Sequence, residues 1–325
     1  MKAIVYSNYG SPDVLRCEEI EKPTAGDNEV LIKVRAASVN PYDWHFMRGM
    51  PYLLRIRAGL RKPKVTRLGV DVAGQVETVG RNVTQFKPGD EVFGLCRGAF
   101  AEYACASESK LARKQENMTF EQAASVPIAG LTALQGLRDK GKIQPGQKVL
   151  INGAAGGVGT FAVQIAKSFG ANVTGVCGTR NVAMVRSIGA DHVIDYTRED
   201  FTKREQRYDL ILDCVANHSL SAFRRVLSPK GNYIMVGAAD GGGRWMIGLL
   251  ARLIKALVLS WFVSQKLGMV GAKTNKEDLT IMRELMESGK ITPVIDKCYR
   301  LSEVPEAIRY LEEGHARGKV VITLD

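Results

Sequence analysis

The feature that most constrains the fold is a glycine-rich stretch in the middle of the chain, GAAGGVG at residues 153–159. An apolar run at 148–151 precedes it, and an amphipathic run at 160–169 follows. This order predicts a strand, a tight turn and a helix. Glycines let backbone N–H groups approach a pyrophosphate, and a helix N-terminus favours its negative charge. A second apolar run at 172–177 completes a βαβ unit of about 30 residues, so the turn predicts a dinucleotide site.

Strand-like and helix-like runs alternate through the middle of the chain. The predicted strands are 149–151, 173–177, 192–194, 210–214 and 233–236. Helical periodicity occurs between them, for example at 182–188 and 220–227. Strands that alternate with helices predict a doubly wound parallel sheet.

The two ends of the chain differ from the middle. The first third reads as β-rich, with runs at 30–34, 70–79 and 99–104. The last part predicts helices at 276–288 and 302–312, the second capped by Ser302, and a strand at 319–324. We therefore expect a nucleotide-binding domain at 125–266, inserted between segments 1–124 and 267–325 of a β-rich domain. Ligands of such sheets lie at the carboxyl ends of the strands, so we expect the active site there.

Charge and composition leave several functions open. The chain has 325 residues and a formal net charge of +11, which suits nucleic acid, a membrane surface or an acidic ligand. An aromatic platform interleaved with basic residues is not evident, so a nucleic-acid partner is not expected. The six cysteines form no C-x-x-C pair, which argues against structural zinc. The first residues read as a strand and not as a signal peptide, so a cytoplasmic location is expected.

Five ordered strings resemble the medium-chain dehydrogenase/reductase superfamily over essentially the whole chain. They are ASVNP at 37–41 with Asp43, GVDVAG at 69–74, FKPGDEV at 86–92, AGLTA at 129–133 and AAGGVG at 154–159. Within the superfamily the chain resembles the zinc-free quinone oxidoreductase branch. Around Asp43-Trp44 and CGTRN at 177–181 it is most similar to the alkenal- and oxylipin-reducing enzymes. The resemblance implies an α/β protein with a GroES-like β-rich catalytic domain and a Rossmann domain.

The resemblance also predicts zinc-independent chemistry. Where zinc alcohol dehydrogenases carry Cys, His and Cys, this chain has Asn40 or Pro41, Val70 or Asp71, and Ala129. Without a Lewis acid, an alkoxide loses its usual stabilisation. A conjugated carbonyl spreads its charge into an enolate, which hydrogen-bond donors can stabilise. We therefore expect hydride transfer to the activated C=C of an enone or alkenal, or to a quinone.

The cofactor is predicted to be NADPH. NAD-binding units usually place an acid about 20 residues beyond the glycines, and no acid lies between Asp139 and Asp191. Arg180 can pair with a 2′-phosphate, and Tyr196 matches a tyrosine that the family uses near it. A solvated loop charge and a simple strand-end aromatic are the alternatives for these two residues. The predicted cofactor contacts are Ala154, Gly156, Gly157, Val158, Gly159, Gly178, Thr179, Arg180, Tyr196, Val236 and Gly237.

Three residues are candidates at the chemical step. In the family Asn40 begins the loop that faces the nicotinamide, with Thr132 near it. A loop cap and a helix-start threonine are equally good readings. Many relatives have a Tyr where this chain has His45. A histidine there is a candidate proton donor near neutral pH. It is equally a surface histidine, with Trp44 directed into the cleft and water as the proton source.

Two functions of different classes are consistent with the sequence. The first is an NADPH-dependent enone, alkenal or quinone reductase. The alternative is a non-catalytic NADPH-binding protein that senses redox state or binds an anionic polymer. The run at 266–272 predicts an edge strand of the nucleotide-binding sheet. Relatives in the family pair that edge, so the resemblance implies a homodimer. Two basic and apolar segments, 48–67 and 245–263, predict a wide entrance for long-chain substrates or peripheral membrane contact.

Overall fold

The computed structural model describes residues 1–236 and 264–324. It divides into two compact units. Unit 1 comprises Met1–Leu131, Thr274–Gly289 and Pro293–Asp325, and unit 2 comprises Thr132–Lys273 and Lys290–Thr292. The boundaries therefore fall after Leu131 and Lys273, where the sequence predicted 124 and 266. Part of the difference is the strand at Lys266–Met269, whose hydrogen bonds to Leu227–Met235 keep it in unit 2.

The strands and helices are numbered in chain order. The first third contains β1 (Lys2–Val5), β2 (Arg16–Glu19), β3 (Glu29–Val39), α1 (Pro41–Arg48), α2 (Leu54–Ala58), β4 (Asp71–Val79), β5 (Glu91–Leu95), β6 (Tyr103–Ser107), β7 (Leu111–Arg113), α3 (Phe120–Ala124) and α4 (Pro127–Gln135). The middle contains β8 (Lys148–Asn152), α5 (Gly157–Ser168), β9 (Asn172–Cys177), α6 (Val182–Ser187), β10 (His192–Asp195), β11 (Tyr208–Asp213), α7 (Leu220–Arg225), β12 (Leu227–Met235) and β13 (Lys266–Met269). The remainder contains α8 (Lys276–Glu287), β14 (Ile295–Arg300), α9 (Val304–Glu312) and β15 (Lys319–Thr323).

Unit 1 is built on a seven-stranded sheet. Its order is β14-β15-β3-β4-β5-β7, and β6 also pairs with β3, which is the longest strand. Helix α9 covers part of the core with Val304, Ala307 and Ile308, all fully buried, because positions i, i+3 and i+4 share one helix face. The unit is the β-rich domain that the sequence predicted.

Two local predictions in unit 1 were wrong. The run at 99–104 is largely buried, yet the strand there is β6, from Tyr103. An apolar run indicates that its residues are buried, but it does not by itself show that they pair in a strand. Ser302 does not cap a helix, because it lies inside a 3₁₀ turn at Leu301–Glu303. The α-helix begins at Val304, where Pro305 suits the first turn since it has no N–H to leave unpaired.

Unit 2 is built on a six-stranded parallel sheet of order β10-β9-β8-β11-β12-β13. Numbered within the unit this is 3-2-1-4-5-6, the doubly wound order of dinucleotide-binding domains. Val149, Leu150 and Ile151 of β8 are fully buried, as expected for a parallel strand covered on both faces. The predicted Rossmann sheet is confirmed, and β13 is an edge strand of it.

Among the described residues, no helix has the length and apolar character needed to cross a membrane. The predicted apolar segment at 245–263 lies outside the described residues.

Candidate cofactor site and buried polar network

The glycine-rich turn of unit 2 joins β8 to α5 as the sequence predicted. Gly153 has a φ of 83°, which L side chains rarely adopt, and its N–H donates to Val176 O on the neighbouring strand. At Gly159 an added Cβ would lie 2.0 Å from Gly153 O. Glycine is therefore required at Gly159 so that the helix can pack against the turn.

Gly156 differs from Gly159 in what surrounds it. It caps α5 with a φ of −84°, and an added Cβ would meet only Gly153 O, at 3.6 Å. The fold alone therefore does not require glycine at Gly156, and the space beside the helix N-terminus is open for a ligand. A Gly-rich turn with this opening fits a pyrophosphate, which binds backbone N–H groups at a helix N-terminus. Ala154 is buried within the turn, and Gly157 and Val158 form the partly exposed first turn of α5.

The second part of the predicted cofactor site lies at the end of β9. Gly178 is followed by a 3₁₀ turn at Thr179–Asn181 that carries the exposed Arg180. An added Cβ at Gly178 would lie 3.1 Å from Tyr196 Oη, and Tyr196 is 58% exposed. The structure thus brings together Gly178, Thr179, Arg180 and Tyr196 at the carboxyl ends of two neighbouring strands.

Asp195 belongs to the same cluster, although no pattern in the sequence identified it as a site residue. Its Oδ2 accepts from Thr179 Oγ1 at 2.6 Å, and its Oδ1 accepts from Thr197 Oγ1 at 2.7 Å. These hydrogen bonds, Thr179 first, lower the pKa of Asp195. The parallel register pairs Asp195 with Cys177, and that pairing is the signal that could have identified it.

A third cluster lies at the carboxyl ends of β8, β11 and β12. The fully buried carboxylate of Asp213 accepts from Asn152 Nδ2 (2.8 Å), Tyr233 Oη (2.7 Å) and the backbone N–H groups of Val215 (3.1 Å) and Ala216 (2.9 Å). Ala216 has a φ of 60°, in the left-handed region that favours glycine. Asp213, which no pattern in the sequence identified, holds the loop after β11 in this strained conformation.

The last predicted cofactor contacts follow β12. Val236 is partly exposed, and its N–H donates to Asp213 O at 2.9 Å. Gly237 lies outside the described residues. Thr132, a predicted catalytic residue, is buried on α4 at the start of unit 2.

Asn40 is the centre of a buried polar network in unit 1. Its Nδ2 donates to Asp71 Oδ2 at 2.9 Å and to Ser38 O at 3.1 Å, and its Oδ1 accepts from Lys319 Nζ at 2.6 Å. Asp71 Oδ2 also accepts from Ser38 Oγ at 2.7 Å, and Asp71 Oδ1 accepts from the Ile128 N–H at 3.0 Å. All of these polar side chains are at most 3% exposed.

Asp43 joins this network through the backbone. Its Oδ2 accepts from the Asn40 N–H at 2.8 Å, and its Oδ1 accepts from the Gly69 N–H at 2.9 Å. Burial raises the pKa of Asp43 to about 7, although both backbone donors and Lys319 act in the opposite direction. Asp43 therefore fixes the start of α1 against the loop before β4.

His45 lies on α1 beside the buried Trp44, with ring centroids 3.8 Å apart. Its Nδ1 lies 2.9 Å from Met50 O, which can only accept, so Nδ1 carries the proton. Burial lowers the pKa of His45, against the effect of the Met50 carbonyl. The ring is therefore mainly neutral at pH 7, which weakens it as a proton donor there. Trp44 packs in the unit 1 core.

Within the described residues, no group of three or more His, Cys, Asp or Glu side chains is arranged to hold a metal ion. At the places that correspond to zinc ligands in the superfamily, Asp71 and Asn40 are engaged with each other and with Lys319.

Comparison with known proteins agrees with this architecture. Residues 26–116 match the model of the alcohol dehydrogenase GroES-like domain, and residues 188–322 match that of a zinc-binding dehydrogenase domain. The chain is 35% identical to the chloroplastic quinone-oxidoreductase QR1 of Triphysaria versicolor, a match that covers 99% of this chain and 98% of the relative. It is also 35% identical to an NADPH-dependent alkenal/one oxidoreductase of Arabidopsis thaliana, over 99% of this chain and 79% of the relative.

Solved structures give the same result. The quinone oxidoreductase of Coxiella burnetii superposes with a TM-score of 0.86 at 32% identity, covering 100% of this chain and 99% of that one. The Escherichia coli quinone oxidoreductase complexed with NADPH superposes with a TM-score of 0.84 at 26% identity over the full length of both chains. The chain therefore belongs to the medium-chain dehydrogenase/reductase superfamily and, within it, to the group of quinone and alkenal/one oxidoreductases.

Proposed function

We propose that this protein transfers a hydride from NADPH to the activated C=C of an enone or alkenal, or to a quinone, without a metal ion. It is an NADPH-dependent oxidoreductase of the quinone and alkenal/one class. The observation that carries this conclusion is the glycine turn of unit 2, with open space beside Gly156 and a required glycine at Gly159. The comparisons give no support to the alternative of a non-catalytic redox sensor or polymer-binding protein.

The reaction class is tested by product analysis. With NADPH and a medium-chain 2-alkenal, we expect absorbance at 340 nm to fall and the product to keep its aldehyde while losing its C=C. The reason is that hydride addition at the β-carbon gives a delocalised enolate, whereas hydride addition at the carbonyl gives a localised alkoxide. Ethanol with NADP⁺ is the control and should give no turnover. Accumulation of the unsaturated alcohol would contradict the proposal.

Zinc independence is supported by the donor set. Asp71 already accepts hydrogen bonds from Ser38, Asn40 and Ile128, and Asn40 and Ala129 are not zinc ligands of the usual kinds. Dialysis against a chelator should leave the rate of 2-alkenal reduction unchanged. Loss of turnover that zinc restores would refute this part of the proposal.

For the chemical step we propose Asn40, His45 and Thr132 as candidate residues, as the family resemblance implies. Because the pKa of His45 is lowered, we propose that water donates the proton that completes the reaction at pH 7. His45 is then the proton donor only at acidic pH. A His45→Gln variant that retains its rate at pH 7 would agree with this assignment.

Cofactor preference should depend on Arg180. We expect Arg180→Glu to raise the KM for NADPH at least tenfold and to change the KM for NADH little, because an exposed carboxylate repels a 2′-phosphate that a guanidinium binds. Arg186→Glu, on the following helix, is the matched control for a loss of positive charge. Equal KM values for the two cofactors in the parent protein would contradict this prediction.

We also propose a homodimer and a cytoplasmic location. An exposed edge strand invites pairing, and β13 is such an edge, with Met269 40% exposed. Light scattering after size exclusion measures the oligomeric state. All six cysteines are free thiols, as is usual in a reducing compartment, and cell fractionation tests the location.

We also propose that the protein contacts membranes peripherally. Within residues 51–64, here called the basic apolar segment, Tyr52, Leu53, Ile56 and Leu60 are each 63–72% exposed. Arg61, Lys62 and Lys64 are exposed beside them, and no acid occurs in the segment. Apolar side chains among basic ones suit the surface of an anionic bilayer.

We expect the protein to float with phosphatidylserine vesicles at low salt and to be released at high salt, because screening weakens the attraction of the basic residues. Leu53→Ser/Ile56→Ser should abolish flotation with unchanged turnover of a soluble enal. Val65→Ser, at a less exposed position, is the control. Equal recovery with neutral and anionic vesicles would contradict an electrostatic contact.

A further inference from the structure

Asp195 brings a carboxylate to a part of the cofactor site where the sequence predicted no acid. It ends β10, and the parallel register pairs it with Cys177 at the end of β9. It accepts a hydrogen bond from Thr179, the residue before Arg180. An acid at this end of a dinucleotide-binding sheet ordinarily binds the ribose 2′-hydroxyl of NAD. Its presence in a chain that uses NADPH therefore needs an explanation.

The carboxylate of Asp195 takes the hydrogens of two threonine hydroxyls. Its Oδ2 lies 2.6 Å from Thr179 Oγ1, and its Oδ1 lies 2.7 Å from Thr197 Oγ1. These hydrogen bonds, Thr179 first, lower the pKa of Asp195, so the carboxylate is ionised at pH 7 and can only accept. Each hydroxyl must therefore direct its one hydrogen at Asp195. Both threonines are exposed, and they have only lone pairs to offer to a ligand.

The two nicotinamide cofactors differ in what they present to such hydroxyls. A phosphate monoester carries a charge of about −1.5 to −2 at pH 7 and presents acceptor oxygens. A ribose 2′-hydroxyl can donate a hydrogen bond. Arg198 Nε lies 3.5 Å from Asp195 Oδ2, but its side chain is 76% exposed, so solvent screens this ion pair. The charge of Asp195 and the two occupied hydroxyls thus both favour a 2′-hydroxyl over a 2′-phosphate.

We propose that Asp195 is a specificity-determining residue that limits the preference for NADPH by holding Thr179 and Thr197 as hydrogen-bond acceptors. Arg180 attracts the 2′-phosphate, and Asp195 is the repulsive element beside it, so NADH remains a usable second cofactor. This inference rests on the proposed place of the 2′-phosphate at Arg180. It does not depend on the reaction at the nicotinamide.

Asp195→Asn removes the charge and releases one hydroxyl at a defined place. The Thr197 N–H donates to Asp195 Oδ1 at 3.0 Å, so the amide oxygen of the variant must occupy that position. The amide nitrogen then faces Thr179 and donates to it, which frees the hydrogen of Thr179 for a phosphate oxygen. Asp200→Asn is the matched control, because Asp200 also accepts from a threonine hydroxyl, that of Thr202, at 2.7 Å.

The Kd values for NADPH and NADH are measured by fluorescence titration. We expect Asp195→Asn to raise the ratio of the NADH Kd to the NADPH Kd by at least about tenfold, because the phosphate gains a hydrogen bond and loses a repulsive charge. Adenosine 2′,5′-bisphosphate, which has the 2′-phosphate but no nicotinamide, should also bind this variant more tightly in calorimetry. Asp200→Asn should keep the parent's ratio.

Thr179→Val separates the effect of the hydroxyl from that of the charge. Thr179→Val/Asp195→Asn loses the carboxylate but cannot gain the hydrogen bond to phosphate. The increase in the Kd ratio that Asp195→Asn causes should therefore be at least about threefold smaller when Thr179 is already replaced. Equal increases with and without Thr179→Val would overturn the proposal, because the carboxylate would then act through its charge alone.

A Kd ratio in Asp195→Asn no higher than that of the parent would also overturn the proposal. Weaker binding of both cofactors, together with a lower urea midpoint, would overturn it as well, because a merely structural carboxylate gives that pattern. Failure of the proposed function is distinguishable from these outcomes. It would appear as a parent protein that binds NADPH but oxidises it with no quinone or enal, whereas the titrations require no turnover.

Discussion

Replacing Gly159 by alanine is expected to weaken NADPH binding by about 100-fold or more. The new Cβ would lie 2.0 Å from Gly153 O and 2.8 Å from Ala154 Cα, and both are backbone atoms that cannot turn aside. Overpacking of this kind costs about 3 kcal/mol, and each 1.4 kcal/mol corresponds to about a factor of ten in an equilibrium constant. Because the atoms that must move form the turn, the urea midpoint should fall as well.

Gly156→Ala is the matched variant and separates binding from folding. Its Cβ would meet only Gly153 O at 3.6 Å, so we expect a parent-like urea midpoint. The methyl group would occupy space beside the helix N-terminus, so the Kd for NADPH, measured by fluorescence, should rise about tenfold. Parent-like affinity in this variant would mean that the pyrophosphate does not approach the turn at Gly156.

Asp213→Ala should lower the free energy of unfolding by at least about 3 kcal/mol. The substitution removes the carboxylate that accepts from donors on Asn152, Val215, Ala216 and Tyr233. Each buried donor that loses its acceptor costs about 1–3 kcal/mol. The substitution also removes the contacts that hold Ala216 at a φ of 60°. Urea unfolding of the parent and the variant measures the difference.

Tyr233→Phe is the control for this prediction, since it removes one donor to Asp213 and leaves the carboxylate with the others. We expect it to cost about 1 kcal/mol. If Asp213→Ala costs no more than Tyr233→Phe, the carboxylate is not the centre of this network.

The fold could be predicted from the sequence largely because parallel strands buried on both faces read as apolar runs. The run at 149–151 lies inside β8, and 173–177 lies inside β9. The beginning of β12 at Leu227 was not predictable in this way. Residues 228–231 are mostly polar and have no partner in β11, because the register shifts between Leu227 and Asn232.

The candidate site was predictable only where one short segment contains its residues. The glycine turn is contiguous, and the sequence placed it correctly between β8 and α5. Asp195 meets Thr179 through the register of two strands, which composition does not reveal. The bond between Lys319 and Asn40 joins positions 279 residues apart. Periodicity describes neighbours along the chain, so it could not anticipate that contact.

The place of β15 in the unit 1 sheet has a consequence for protein synthesis. Residues 1–131 are translated before residues 132–273, yet β15, which pairs with β3 near the middle of the unit 1 sheet, is translated after them. Unit 2 is nearly continuous and can fold while unit 1 still lacks two strands. The same late strand carries the ammonium group that faces Asp71 and Asn40. Until β15 is made, Asp71 lacks this counter-ion, so the sheet of unit 1 is completed only after unit 2 has been translated.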